Sequence, residues 1–289
     1  MKISFITASY NYQDYIAETI NSVIAQTYED WELIIVDDGS KDNSVNLIKE
    51  FCAKNPKIKL FTHQNNENKG LVETIKLGLS KAQGEFVAFL ESDDYIAPDY
   101  IEKKLAVLNQ YPDVKFIFND IEMFGNQEKI NEMKKYFEKL YGVFDKVTEP
   151  VRIYKYFFFY NFVPTFSCVM VNRNVLMECN FDSPIKAWVD WWLWAQISFE
   201  NDFYFLKEKL TFWRMHQTSY INRAAKTVDD NQQMFFRELL KFLKPVDFPY
   251  YLLVAIIKTR RIEKIFRGLL NKILAMNILV VYDKKPKTE

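Results

Sequence analysis

The sequence predicts an α/β fold built on a largely parallel, doubly wound sheet, and three observations carry that prediction. Apolar strand-like runs alternate with helical patterns through the first hundred residues. The strands read as continuous apolar stretches, such as Leu33-Ile34-Ile35-Val36 and Phe86-Val87-Ala88-Phe89-Leu90, as strands covered on both faces do. Polar and acidic clusters follow those strands directly, at the sheet edge where ligands bind in open α/β folds.

The elements follow in order. A strand over Ile3–Ala8 leads to a helix near Asp14–Gln26, opened by Asn11 and Asp14 and carrying Ile16, Ile20, Val23 and Ile24 on one face. A second strand, Glu32–Val36, enters the turn Asp37-Asp38-Gly39-Ser40, and Ser44 starts a helix to about Lys54. A third strand spans Lys57–Thr62. The polar loop 63–69 ends at Gly70, and a helix then runs to Ala82. Gly84 breaks the chain before the strand Phe86–Leu90, which ends in Glu91-Ser92-Asp93-Asp94. A helix near Pro98–Asn109 and a strand over Lys115–Asn119 come next, followed by a charged, irregular stretch from Glu122 to Pro150 and a very aromatic one from Tyr154 to Phe166. A strand over Ser167–Asn172 and a tryptophan-rich helix over Asp190–Phe199 complete the body. This organisation divides the chain into residues 1–110, residues 111–228 in the same domain, and an extension over 229–289 that reads as helical and separate in character.

Composition excludes several classes. The 289 residues hold 38 basic and 38 acidic side chains, so charge gives no basis for a nucleic-acid partner. Aromatic residues make up 17% of the chain, which argues against disorder. Cys52, Cys168 and Cys179 are odd in number and form no CxxC pair, the usage of reduced thiols in a cytosolic protein. Two histidines, His63 and His216, cannot build a His-rich zinc site. The first residues enter a strand at once, so no signal peptide is expected. No apolar run reaches the roughly 18–20 residues that span a bilayer.

Three acids in four residues at the end of a buried strand concentrate negative charge, which costs stability unless something compensates it. One reading of Glu91-Ser92-Asp93-Asp94 is a site for a hard divalent cation that keeps positions for substrate phosphates. The other is a solvated acidic turn that caps the next helix. Ala8-Ser9-Tyr10-Asn11 and Asp37-Asp38-Gly39-Ser40 converge on the same edge. Tyr10 suits stacking on a base, and Asp38 suits accepting hydrogen bonds from base or ribose. GxGxxG is absent after the first strand, which argues against a nicotinamide-dependent dehydrogenase.

The run from Ile3 to Ser44, with Ser22-Val23-Ile24-Ala25-Gln26-Thr27 and Glu32 to Ser40, resembles the family 2 nucleotide-sugar glycosyltransferases of the GT-A fold. Asn68-Lys69-Gly70 and Gly84 through Asp94 continue the likeness in order. It covers residues 1 to about 110 closely and 160–220 more loosely. The resemblance implies a Rossmann-like, mostly parallel central sheet flanked by helices, and an inverting, metal-dependent transfer of a sugar from a nucleotide diphosphate, UDP first among them, to a glycan or lipid-linked glycan acceptor.

It also implies roles for particular residues. Ala8, Tyr10, Asn11, Asp38, Lys76, Ser92 and Asp93 would bind the nucleotide. Glu91, Asp93, Asp94 and His216 would hold Mn²⁺ or Mg²⁺, and Arg214 and Ser219 would lie by the diphosphate. Asp190, within Trp188-Val189-Asp190-Trp191-Trp192-Leu193-Trp194, would be the general base, with Trp188 and Trp191 facing the acceptor. An acid that is only a helix cap, with its tryptophans in the core, is the structural alternative for that segment.

Four positions depart from the family pattern. Glu91 replaces the first acid of the DxD-type motif, Ala8 stands where Pro is frequent, Ile75 stands where Arg is common, with Lys76 beside it, and Val189 replaces a Glu before the base. The departures at Glu91 and Val189 leave open a binding or scaffold protein that has lost turnover. A nucleotidyltransferase is the remaining rival, but Tyr10-Asn11-Tyr12-Gln13 supplies no Gly/Lys/Arg-rich phosphate loop.

Residues 250–289 hold nine basic side chains against three acidic ones. Ile262, Ile265, Phe266, Leu269, Leu270 and Ile273 share one helical face, with Arg260, Lys264 and Arg267 opposite. The pattern is that of a helix lying on an anionic membrane, which would place the protein peripherally at the cytoplasmic face, or of one docked on the body with a solvated basic side.

Overall fold

The computed structural model describes residues 1–141, 147–158, 160–216 and 232–242. The first half alternates strands β1 (Ile3–Ser9), β2 (Trp31–Asp37), β3 (Ile58–Thr62) and β4 (Phe86–Phe89) with helices α1 (Ile16–Ile24), α2 (Ser44–Lys54) and α3 (Leu71–Lys81). A short strand β5 (Tyr95–Ile96), α4 (Tyr100–Gln110), β6 (Phe116–Gly125) and α5 (Gln127–Tyr141) follow. The second half adds β7 (Val169–Asn172), α6 (Arg173–Met177), α7 (Val189–Glu200), β8 (Phe203–Met215) and α8 (Gln232–Leu240).

All eight strands form one sheet in the order β3-β2-β1-β4-β7-β6-β8-β5. The β3-β2-β1-β4 half is parallel. At β7 the sheet turns mixed, because β7 runs antiparallel to both β4 and β6, and β5 runs antiparallel to β8. The β6–β8 pair is again parallel, with register shifts around Asp120.

Neighbouring strand residues split between two cores, as a period of two requires. Phe5, Leu33 and Ile35 pack with Ile16, Ile20, Ile48 and Tyr100 on one face. Ile6, Ile34 and Val36 pack with Ile75, Leu79, Phe89 and Trp194 on the other. The aromatic stretch 154–166 belongs to that second core, where Trp194 lies against Phe89, Phe116 and Phe166 and Phe116 stacks on Phe203 at 3.9 Å.

Three expectations need correction. The stretch from Glu122 is not irregular: β6 continues through it and α5 follows, anchored by Ile130 and Phe137 in the core. A thirteen-residue strand, β8, occupies a segment that the sequence pattern did not mark. The extension beyond 229 is not wholly separate, because α8 docks on α7. Phe235, fully buried, lies 5.2, 5.3 and 5.7 Å from the rings of Trp188, Trp191 and Trp192. The basic amphipathic pattern at 260–273 lies outside the described residues, as does Ser219. Among the described residues no helix is long and apolar enough to cross a membrane.

Candidate active site

The carboxyl ends of β1, β2 and β4 open onto one cavity of 280 Å³. Its wall includes Ala8, Ser9, Tyr10 and Tyr12 from the β1 end, Asp38 from the β2 end, Asn68 and Gly70 from the loop before α3, and Glu91, Ser92 and Asp93 after β4. The switch from parallel to antiparallel neighbours lies beside β4, where the connections diverge and leave the edge uncovered.

The loops around the cavity are fastened by short polar links. Asp37 accepts hydrogen bonds from the Gly39 and Ser40 N–H groups at 3.1 and 2.9 Å and from the Ser40 hydroxyl at 2.5 Å. That turn needs Gly39 at φ +82°, and a Cβ there would meet the Asn66 carbonyl oxygen at 2.6 Å. Asp38 is buried and accepts from the Lys69 and Gly70 N–H groups at 2.7 and 3.0 Å, with His63 Nε2 3.5 Å away. A carboxylate offers about four acceptor positions, so these bonds leave capacity for a ligand N–H.

Asn11 does not line the cavity. It sits at φ 59°, a conformation that Asn tolerates, and its side chain accepts from Lys41 N–H at 2.7 Å while its own N–H donates to Ser40 at 2.9 Å. It ties two loops together. Lys76 is also outside the cavity, because its ammonium pairs at the surface with Glu73 at 2.9 Å and Asp182 at 3.1 Å.

The acidic cluster divides by burial. Asp94, 1% exposed, turns inward: it accepts from Ser167 Oγ at 2.6 Å and from the Arg214 N–H at 2.9 Å. Burial first, then Asp93 and Glu91, hold its carboxyl well above the usual range. Asp94 is therefore a buried fastener of β8, not an open metal ligand. Glu91 accepts a short hydrogen bond from Thr165, and burial together with the charge of Asp93 pushes it up to about 8. Asp93 faces His216, with Oδ2 and Nε2 2.7 Å apart.

Arg214 is positioned through the backbone. Its Nε donates to the Asp93 carbonyl at 2.8 Å, its guanidinium pairs with Glu18, and the group is held between the rings of Tyr15 and Phe124 at 4.8 and 4.4 Å. His216 lies 5.2 Å from the Tyr15 ring and 6.1 Å from that of Tyr12.

Asp190 stands in the first turn of α7, partly exposed, and accepts from Asn161 Nδ2 at 2.7 Å. Burial pushes it up to about 6, against the hydrogen bonds from Trp191 N–H and Asn161 that lower it. Asp190 is not among the residues lining the cavity; it is linked to the acid cluster through the segment from Asn161, which binds Asp190, to Thr165, which binds Glu91. The tryptophans mostly serve packing: Trp194 and Trp192 are buried, and Trp191 Nε1 donates to the Phe157 carbonyl at 2.7 Å. Trp188 and Trp191 keep partial exposure but lie under α8, so they are not an open stacking wall.

Sequence reasoning missed His63, Asn161, Thr165 and Ser167. The last three have no local signal, since their acidic partners lie 29 to 76 positions away in the chain.

Fold and cleft together define an α/β sheet of the GT-A class. Residues 4–177 match the model of glycosyl transferase family 2. An uncharacterised glycosyltransferase of Haemophilus influenzae is 39% identical over 132 residues, covering 44% of this chain and 51% of that protein. The uncharacterised glycosyltransferase alr2836 of Nostoc sp. is 32% identical over 244 residues, covering 80% of this chain and 70% of its own. Residues 1–349 of Staphylococcus aureus TarS, in complex with UDP-GlcNAc, superpose with a TM-score of 0.61 at 16% identity over 84% of this chain and 66% of theirs. The Pyrobaculum calidifontis mannosyltransferase PcManGT, in complex with GDP-Man and Mn²⁺, gives 0.52 at 13% identity over 98% and 88%. The chain thus spans about half the length of the Haemophilus relative, and 30% of a Rickettsia conorii relative that it matches at 33% identity. It belongs to glycosyl transferase family 2.

Proposed function

We propose that the protein transfers a sugar, with inversion at the anomeric carbon, from a nucleotide diphosphate to a hydroxyl of a glycan or lipid-linked glycan, with Mn²⁺ or Mg²⁺ bound. The observation that carries this reading is the convergence of Ala8, Tyr10, Asp38, Ser92, Asp93 and Glu91 on one cavity. Tyr10 and Asp38 receive the base and ribose, and uracil, whose imide N–H suits the Asp38 carboxylate, is the base we assign. UDP is also the nucleotide of the TarS complexes.

Asp190 takes the proton from the acceptor hydroxyl as that oxygen attacks the anomeric carbon, and the bond to the diphosphate breaks. A carboxyl near 6 is largely ionised at neutral pH yet more basic than an ordinary aspartate, which suits it to that task.

The donor set fits a hard cation. Burial first, and then the charge of Asp93, raise the carboxyl of Glu91, so a cation beside the two acids would relieve a charge that burial leaves poorly solvated. Among the described residues no three His, Cys, Asp or Glu side chains converge as a complete ligand set. Asp93 and His216 would hold the ion and the donor's phosphates would complete its shell, the arrangement typical of Mg²⁺ and Mn²⁺ with phosphate substrates. Such a cation would supply charge neutralisation for the departing diphosphate.

A panel of UDP-, GDP- and dTDP-sugars with Mn²⁺ tests the reading by thermal shift and by release of the nucleoside diphosphate. A donor at a hundred times its Kd stabilises by ~2.7 kcal/mol. Asp190→Asn should keep that shift and lose transfer by roughly 10²–10⁴-fold. Stabilisation by a nucleotide sugar without turnover in the unmodified protein would mark a binding protein of the same fold.

A further inference from the structure

The segment 161–168 crosses from Asp190 to the acid cluster and touches both. At one end Asn161 Nδ2 donates to Asp190 Oδ2 at 2.7 Å, and its Oδ1 accepts from Val163 N–H at 3.3 Å, which fixes which face of the amide points at the carboxylate. At the other end Thr165 Oγ1 donates to Glu91, and Ser167 Oγ donates to Asp94 at 2.6 Å while accepting from Glu91 N–H at 2.9 Å. Between them Phe162 and Val163 are buried, Phe166 packs 5.1 Å from Phe89, and Thr165 caps the short turn by accepting from Ser167 N–H at 3.2 Å. The segment has little freedom, so any group at its start is held at a set distance from the residues after β4.

We propose that Asn161 is a positioning residue: it orients the Asp190 carboxylate toward the acceptor hydroxyl, and the buried segment behind it keeps that orientation in register with the donor-side acids. With Oδ2 bound by Asn161 and the Trp191 N–H of the α7 N-terminus also donating to the carboxyl, the orientation of Asp190 is set from two sides. Glu91 is the charged group whose ionisation is linked to that of Asp190. The inference rests on Asp190 being the base of the proposed reaction, and its test separates the two.

The test compares unmodified protein, Asn161→Ala, Asp190→Asn and the double variant. In ligand-free protein labelled with ¹³C at the aspartate carboxyls, the Asp190 signal is assigned by its loss in Asp190→Asn. Removing the donor should raise the Asp190 titration midpoint by roughly 0.5–1 on the pH scale. With the UDP-sugar that the panel selects, Asn161→Ala should lower kcat roughly ten- to hundred-fold while donor KM stays within about two-fold. In the Asp190→Asn background the same change should have no further effect on kcat.

An unmoved midpoint, an unchanged kcat, or a full additional loss in the double variant would overturn the proposal. A different result, undiminished transfer by Asp190→Asn, would remove the base assignment itself and so overturn the positioning role with it. Should Asn161→Ala not fold, the isosteric Asn161→Asp gives the same readings with a larger upward move, because it sets a like charge against Asp190.

Discussion

At the scale of single residues, the acid cluster makes stability depend on pH in an unusual direction. Glu91, raised from 4.5 to about 8, and Asp94, raised well above 3.8, hold protons in the folded chain that the unfolded chain releases. Asp190 acts in the same direction at about 6. Stability from such groups is fully present below their unfolded values and is lost as pH rises through the folded ones. The lowered acids Glu32 and Asp42 work oppositely, but their window lies below the unfolded values of 4.5 and 3.8. Between pH 5 and 8, metal-free protein should therefore lose Tm steadily, and Mn²⁺ should raise Tm more at pH 8 than at pH 5, since a cation held by Asp93 and His216 would offset the charge that Glu91 gains beside Asp93 as it ionises. Scanning fluorimetry in EDTA and in Mn²⁺ checks this, and a Tm that climbs over that range without metal contradicts it. The sequence located Tyr10, Asp38 and Asp93 at the cleft because each lies at or shortly after a strand end on one sheet edge. It could not show that Asn11, Asp94 and Arg214 each engage a backbone group, since those groups lie 30 to 121 positions away in the chain.

At the scale of elements, α7 explains why the extension begins on the body. Val189, Trp192, Leu193, Trp194, Ala195, Ile197 and Phe199 are all buried, so the helix is apolar nearly all round and needs cover on its outer side as well as its inner one. Helix α8 supplies that cover through Phe235 and Leu239, and Phe242 stacks on Phe199 at 5.5 Å. Phe235→Ala should cost ~3–5 kcal/mol of local stability. Denaturant titration followed by tryptophan fluorescence should show this as an early, red-shifted phase, because Trp188 and Trp191 lose their lid. An unchanged single transition would mean that α8 contributes nothing to the fold. The first seven elements were legible because the apolar runs of the strands are unbroken and turn residues mark where the helices between them begin. Helix α5 hid because its buried positions, Ile130 and Phe137 with Met133 between, are diluted by lysines and glutamates. Strand β8 hid for a similar reason: Lys207-Glu208-Lys209 interrupts its alternation where the β6–β8 register shifts.

At the scale of the whole molecule, the balanced charge conceals a polarity. Residues 250–289 carry nine basic and three acidic side chains, so the remaining 249 residues hold 29 basic and 35 acidic ones. The body should thus be weakly repelled by an anionic surface, and any attraction must come from the last forty residues. Each basic residue near such a surface contributes ~1 kcal/mol, and the effect decays within a Debye length of about 8 Å at physiological salt. Electrostatics of that size give reversible binding, and the apolar face formed by Ile262, Ile265, Phe266 and Leu269 would add burial in the interface. A lipid-linked acceptor would then be met at the membrane surface. Sedimentation with vesicles of phosphatidylglycerol and phosphatidylcholine should recover the full chain at low salt and far less of it at high salt or on phosphatidylcholine alone. Removing 250–289 should release the protein from the anionic vesicles while leaving the donor-induced thermal shift in place, because every residue lining the cavity lies before 170. Binding that survives the deletion would assign the membrane contact to the body and return the basic face of the tail to solvent.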